Sequence, residues 1–419
     1  MLLELGLSLG ITCMCKITAD TICEYISGKH KIKKKFESIV ESIGIKNKNG
    51  DSFYIKEIYF KNYGYLAVIN IPYGLSLDHL KSKKNIIEDN LNSIITLDKN
   101  KFKNYITMRV VTKDISKFKY TPVNQNVNQL YLGKDITGKD FLLNLDHNPM
   151  LLIAGSTGQG KTCLLSCILT NLIYNCANQS EIYFIQLIKS ELSSFNYCSN
   201  VKFNANTVEE LTHVIKKIKA KIDERSKLFE TNGIRNINQW NKKYRNKYMK
   251  RVFLVCEEFS QLADMEEQVK GLWDIVKTGR SVGIHFIGVL QRTTADNLDT
   301  SIKSQMTKLT FHQNSSINSQ NVINSDNAIS LKQGECIILD EEGETKLKVP
   351  FIDDDLMVLK EYVKSIRTPS KEYRKPIQQI KEQEKEKVKE INSIKVEYKK
   401  ENRKRKGVIN IKEIQNVNR

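Results

Sequence analysis

Leu151-Leu152-Ile153-Ala154 runs directly into Gly155-Ser156-Thr157-Gly158-Gln159-Gly160-Lys161-Thr162, and the reading of this stretch decides the fold. It has the form G-x-x-x-x-G-K-[ST]: an apolar run, a glycine loop, then a helical pattern from Cys163 to Tyr174. The glycines let backbone N–H groups turn inward and approach phosphate oxygens with no side chain between. Lys161 is placed to reach the β- and γ-phosphates, and the Thr162 hydroxyl to complete a Mg²⁺ shell. The helix that follows adds the positive end of its dipole beneath the phosphates. A glycine turn matching by accident would not explain the strand before it and the helix after it. The stretch reads as a site for ATP and Mg²⁺, with Gly155 through Thr162 as its binding residues.

From Leu130 onward the pattern alternates between strand and helix. Candidate strands are Met150–Ala154, Glu181–Ile188, Arg251–Cys256, Ile284–Leu290, Lys308–Phe311 and Glu335–Leu339, with helical patterns at 161–175, 207–230 and 265–279. Short apolar strands alternating with helices predict an α/β fold, its mostly parallel sheet covered on both faces. In such sheets the ligand lies at the carboxyl ends of the strands, where 155–162 falls.

Upstream, 1–30 reads as an apolar helix ending near Gly28, and 31–44 as a second helix carrying Phe36, Ile39, Val40 and Ile43. Asn49-Gly50 marks a turn; Tyr54–Phe60 and Tyr65–Ile71 form a hairpin; Ser76 and Asp78 cap a helix running to about Ile95; Tyr105–Val111 is another strand. The expected organisation is an N-terminal helix (1–30), a small α+β domain (31–120), an ATPase domain (121–360) and a basic tail (361–419). Leu2–Cys15 is too short to span a membrane and lacks the layout of a signal peptide, so it reads as a buried or interfacial helix.

Hydrolysis requires an acid beside the metal and a group that activates water. Val252-Phe253-Leu254-Val255-Cys256-Glu257-Glu258 is an apolar strand ending in two acids. Glu257 would hold Mg²⁺ through a water, where the usual acid is Asp, and Glu258 would polarise the attacking water. Gln291, at the tip of the strand Ile284–Leu290, either touches the γ-phosphate or faces solvent. Arg280 either stabilises transition-state charge in a neighbouring subunit's site or pairs with an acid at a surface.

The formal charge of +18 over 419 residues points to a polyanionic partner. The tail contributes 18 Lys/Arg against 9 Asp/Glu, densest at Arg403-Lys404-Arg405-Lys406, and reads as a charged helix or disordered arm. The nine cysteines lack paired metal-site spacing and fit reduced core positions.

Five separated stretches together resemble the FtsK/SpoIIIE family of DNA translocases. They are Leu132–Gly138; the loop with its preceding Asn148-Pro149; Asp223-Glu224-Arg225 through Trp240-Asn241; Glu257-Glu258-Phe259; and Gly279–His285 leading to Gln291-Arg292. The resemblance covers about 130–345. It implies a RecA-like P-loop motor that assembles as a hexamer around double-stranded DNA, with ATP sites between subunits and Arg280 at that interface. Departures are Ile188, where the family often carries Asp before Lys189 and Glu191-Leu192, and Glu257 in place of Asp. The sequence lacks a long membrane region before the motor, and the polar stretch after Pro350 does not suit a winged-helix module. These features favour a plasmid or mobile-element transfer motor acting with a relaxase complex, in the cytoplasm or recruited by a membrane protein to the inner face of the membrane. The competing readings are a plasmid maintenance or replication motor, a slow-hydrolysing nucleotide-switched DNA adaptor and a membrane-surface ATPase.

Overall fold

The computed structural model describes residues 27–187, 192–196, 198–262, 264–290, 305–341, 343–352 and Tyr362. Residues 1–26 of the expected N-terminal helix (1–30), the tail apart from Tyr362, and Gln291 lie outside these residues. The chain divides into two compact units: one up to Phe118 together with Lys134–Lys139, the other from Lys119–Gly133 and from Asp140 onward.

The first unit opens with helix α1 (27–42), which continues through Gly28 where the sequence suggested a break. Strands β1 (Tyr54–Lys61) and β2 (Gly64–Asn70) form the expected hairpin. The helix expected from Ser76 to about Ile95 is instead two short helices, α2 (Leu77–Lys81) and α3 (Lys84–Leu91), followed by strand β3 (Ile94–Asp98). Asn92 stops α3 in the left-handed conformation at φ 51°, which few residues besides Gly, Asn and Asp adopt readily. The β-branched Ile94-Ile95-Thr96 then pairs with β4 (Tyr105–Val111). The antiparallel order is β1-β2-β4-β3, and Phe36, Val40, Ile58, Ala67, Ile87 and Met108 are among its core.

The second unit is built on one ten-stranded sheet. Its elements in chain order are β5 (Gln129–Asp135), β6 (Asp140–Asn144), β7 (Met150–Ala154), α4 (Lys161–Cys176), β8 (Ser180–Ile185), β9 (Val201–Ala205), α5 (Val208–Asn232), α6 (Ile237–Lys243), β10 (Arg251–Cys256), α7 (Glu266–Thr278), β11 (Ile284–Leu290), β12 (Thr307–Thr310), α8 (Ser316–Ile323), β13 (Glu335–Asp340) and β14 (Gly343–Lys348). The strand order is β6-β5-β14-β13-β12-β7-β11-β10-β8-β9. From β12 to β9 every pairing is parallel, while β13 and β14 extend the sheet antiparallel. The mostly parallel α/β sheet read from the alternation is therefore the observed fold.

The period of two along each strand divides the core between the two faces. Leu151, Ile153, Phe253, Val255, Ile287 and Val289 pack with the α4 side chains Leu164, Leu165, Ile168 and Leu172. Met150, Leu152, Val252, Leu254, Ile284 and Phe286 pack on the opposite face with α5 and α7. Both faces are covered, so the strands are apolar throughout and the polar residues gather at their ends.

Candidate nucleotide site

The loop leaves β7 in backbone conformations that require glycine. Gly155, Gly158 and Gly160 have φ of +146°, +77° and +120°. A Cβ on Gly155 would lie 2.7 Å from the Phe311 Cβ, so the loop lies directly on the residue that follows β12. The Ser156 N–H donates to the His312 carbonyl at 3.0 Å, and Gly334 N–H donates to the Gln159 carbonyl at 3.0 Å. Gln333 Nε2 adds a bond to the Gly158 carbonyl at 2.9 Å. The loop is thus held from outside by β12 and by the turn before β13.

Lys161 is the first residue of α4 and is buried. Its Nζ donates to the carbonyls of Gly155 at 2.6 Å and Ser156 at 2.9 Å, so the ammonium lies within the loop's own curve. Thr162 follows it in the first turn and is exposed. A curved run of glycine backbone, a lysine folded into it and a helix N-terminus beneath form a cradle that fits a phosphate chain.

Glu257 follows the last residue of β10, and β11 lies between β10 and β7. The loop and the acid therefore leave the same carboxyl edge of the sheet, with one strand between them. Glu257 is buried, and Glu258 has φ +61°, a left-handed backbone rarely adopted outside Gly, Asn and Asp. Burial, together with the adjacent Glu257 and Glu258, pushes the Cys256 thiol well up, making it an unreactive neighbour.

The sequence reading missed Gln186. Strand β8 ends at Ile185, three residues earlier than expected, so Gln186 is its tip residue. Its Nε2 donates to Glu257 Oε2 at 2.7 Å, and its Oε1 accepts from Asn204 Nδ2 at 3.0 Å. Asn204 Nδ2 also reaches Asn196 Oδ1 at 3.3 Å. A polar residue directly after the apolar run Ile182–Ile185 was the available signal.

Arg280 lies elsewhere. It is exposed, and its guanidinium donates to the Asp146 carbonyl at 3.0 Å, at the amino edge of the same strands. Beneath it Arg251, 2 % exposed, donates to Asp146 Oδ1 at 2.7 Å and Asn238 Oδ1 at 2.6 Å, and contacts His285 Nε2 at 2.8 Å. Burial would raise the Asp146 carboxyl, but bonds from Asn128, Asn238 and Arg251, with the Arg251 charge, hold it below its ordinary value. The structure therefore brings together Gly155–Thr162, Glu257 and Glu258, and places Arg280 at the opposite edge. Arg225, within one of the stretches that carried the resemblance, ties α5 to the entries of β10 and β11 through the carbonyls of Lys250 at 2.8 Å and Val282 at 2.7 Å.

Residues 113–292 match the FtsK/SpoIIIE family. The matched stretch contains both the glycine loop and the acid pair. Among similar proteins, the DNA translocase FtsK of Caldanaerobacter subterraneus subsp. tengcongensis is 26 % identical over 223 residues, 51 % of this chain and 31 % of that protein. FtsK of Treponema pallidum is 27 % identical over 234 residues, 54 % of this chain and 27 % of its own length. The match thus spans about a third of these relatives or less. Among solved structures, the monomer form of the pCW3 conjugation coupling protein TcpA with ATPγS superposes with a TM-score of 0.55 at 18 % identity, over 81 % of this chain and all of that one. The cytoplasmic domain of the Thermomonospora curvata type VII secretion ATPase EccC gives 0.52 at 16 % identity, over 61 % of this chain and 33 % of that one. These likenesses concern the fold. Among the described residues, no helix is long and apolar enough to cross a membrane.

Proposed function

We propose that this chain is an ATP-driven DNA translocase acting in transfer of a plasmid or integrative element. One observation carries the reading: within the stretch that matches the FtsK/SpoIIIE family, the glycine cradle with Lys161 and the acid pair Glu257-Glu258 leave the same edge of one mostly parallel sheet. Bound ATP supplies a γ-phosphoryl group whose transfer to water needs charge neutralisation and an oriented nucleophile. Lys161 turns from the loop carbonyls to the β- and γ-phosphates. Thr162 would hold Mg²⁺ directly and Glu257 would hold it through a water, and the cation would neutralise phosphate charge, since Mg²⁺ commonly takes one or two carboxylates and completes its shell with phosphates and water. Glu258 orients the attacking water, and Gln291 reports the γ-phosphate.

Arg280 serves a neighbouring subunit in this scheme. It stands at the edge away from its own loop, about seven residues of strand or roughly 20 Å distant. A ring that places the amino edge of one subunit against the carboxyl edge of the next would bring Arg280 to a nucleotide, and a hexamer around duplex DNA is such a ring. The fold shared with TcpA over that whole chain supports the transfer role in preference to maintenance or replication.

Displacement of a third strand from a triplex at the end of a long duplex tests the proposal. ATP-dependent displacement by the wild type, abolished in Glu258→Gln, is expected. ATP turnover without displacement would reduce the reading to a DNA-associated ATPase.

A further inference from the structure

The positive charge is unevenly placed. Residues 27–118 carry 18 Lys/Arg against 9 Asp/Glu, whereas 119–360, which hold the nucleotide loop, carry 29 against 27. Half of the chain's net charge of +18 therefore lies in 27–118, a stretch of the first unit that contains no P-loop.

Within that unit, the turn 43–49 and the turn Tyr73-Gly74-Leu75 border a cleft of about 640 Å³ with the end of α2. Lys46, Lys48, Lys83 and His79 line it, along with Tyr73, and none of its lining residues is a carboxylate. Lys46 pairs with Glu41 at 3.1 Å, while Lys48 and Lys83 have no acidic partner among the described residues.

The cleft is braced by one side chain. Asn47 Oδ1 accepts from the N–H groups of Asn49 at 2.9 Å and Asp51 at 2.8 Å, closing its own turn. Asn47 Nδ2 donates to Asp51 Oδ2 at 2.9 Å and across the cleft to the Tyr73 carbonyl at 3.0 Å. Gly74, at φ +84°, completes the second turn. The backbone of Tyr73 is thus fixed while its side chain stands in water, with the residue 94 % exposed. An aromatic ring held out on a braced turn beside unpaired lysines matches what a nucleic-acid strand requires: a stacking platform next to cations.

We propose that this cleft binds single-stranded nucleic acid, with Tyr73 stacking on an unpaired base and Lys48 and Lys83 holding the flanking phosphates. A single strand is specified because the bases of a duplex already stack on one another and offer no free face to the ring. The site is separate from the nucleotide loop and does not depend on the ATPase reading.

The test is fluorescence anisotropy of a labelled twelve-nucleotide oligothymidylate with the full chain, over a range of salt and without ATP. Tyr73→Ala should weaken binding by about 5- to 150-fold, and Tyr73→Phe should retain it. Lys48→Ala with Lys83→Ala should lower the slope of log K against log salt by about 1.4. A blunt duplex of equal length should be insensitive to Tyr73→Ala. A Tyr73→Trp variant reports stacking directly, since emission at position 73 should be quenched by the oligonucleotide even where the tail also binds it. Absence of quenching would overturn the proposal. So would an equal effect of Tyr73→Ala on the duplex, or competition by millimolar inorganic phosphate or anionic vesicles as effective as by the oligonucleotide. Matching thermal melting curves for variants and wild type confirm that folding is intact.

Discussion

Lowering the pH from 7 to 5 should destabilise this protein through one residue, His285. Its ring is 1 % exposed, stacks on Phe253 at 5.2 Å and lies between Arg251 and the Pro149 carbonyl. Arg251 can only donate, so Nε2 accepts from it at 2.8 Å; Nδ1 then carries the proton and donates to Pro149 O at 3.0 Å. Protonating Nε2 would set two donors and two positive charges face to face in a buried site. Desolvation first, and the Arg251 charge second, push the imidazole down to about 3 from 6.5. The unfolded chain therefore binds a proton that the folded chain refuses over the window from pH 6.5 to about 3. Stability is full above pH 6.5 and falls as the pH drops through that window. The loss is on the order of 2 kcal/mol at pH 5, and the slope approaches about 1.4 kcal/mol per pH unit. Asp146, whose carboxyl is held below its ordinary 3.8, adds its own loss only at more acidic pH. Urea unfolding of the wild type and of His285→Gln at pH 7, 6 and 5 measures this. The glutamine can accept from Arg251 and donate to Pro149 but does not titrate, so its slope should be shallower by about that amount. Equal slopes for the two proteins would refute the buried neutral histidine.

Gln186→Leu removes the donor to Glu257 Oε2 and the acceptor of Asn204. A hydrogen bond to a charged group contributes about 1.5–3 kcal/mol, so ATP turnover should fall about 10- to 150-fold with KM for ATP little changed, and unchanged turnover would remove Gln186 from the site. Gly155→Ala introduces a Cβ 2.7 Å from Phe311 at a φ of +146°. Strain of about 1–3 kcal/mol should lower the melting temperature and abolish nucleotide binding, and normal binding of a fluorescent ATP analogue would contradict the packing described. Arg280→Ala and Lys161→Ala should each be inactive alone, yet mixing them should recover part of the turnover, because an Arg280 from one chain can complete the intact loop of the other. Complete lack of recovery at every mixing ratio would place Arg280 outside the neighbouring site.

Local signals made most of the second unit legible. The alternation of short apolar strands with helices identified six of the strands, and Gly155–Thr162 identified the cradle, because both depend on residues adjacent in sequence. Gln186 was hidden by the same logic: Leu187 and Ile188 prolong the apolar run and conceal the end of β8. The cluster of Arg251, His285 and Asp146 was invisible for a different reason. Its members are 34 and 105 residues from Arg251, and only the stacking of β7, β10 and β11 side by side brings them together. Strand β3 was lost inside a helical reading because Ile94 and Ile95 continue the apolar spacing of α3, and the decisive feature is the left-handed Asn92 between them. The pairing of Asn47 with Tyr73 likewise depends on two turns 26 residues apart.

The most direct test of the central claim is the rate of ATP hydrolysis with and without long double-stranded DNA, with Lys161→Ala measured in parallel. A translocating motor predicts strong stimulation by long duplex that falls with salt, since DNA contacts directed at phosphates release counterions, and that vanishes when Lys161 is removed. Tight ATP binding with negligible turnover on any DNA would contradict it and leave a nucleotide-switched adaptor, with Glu257→Asp the first substitution to try.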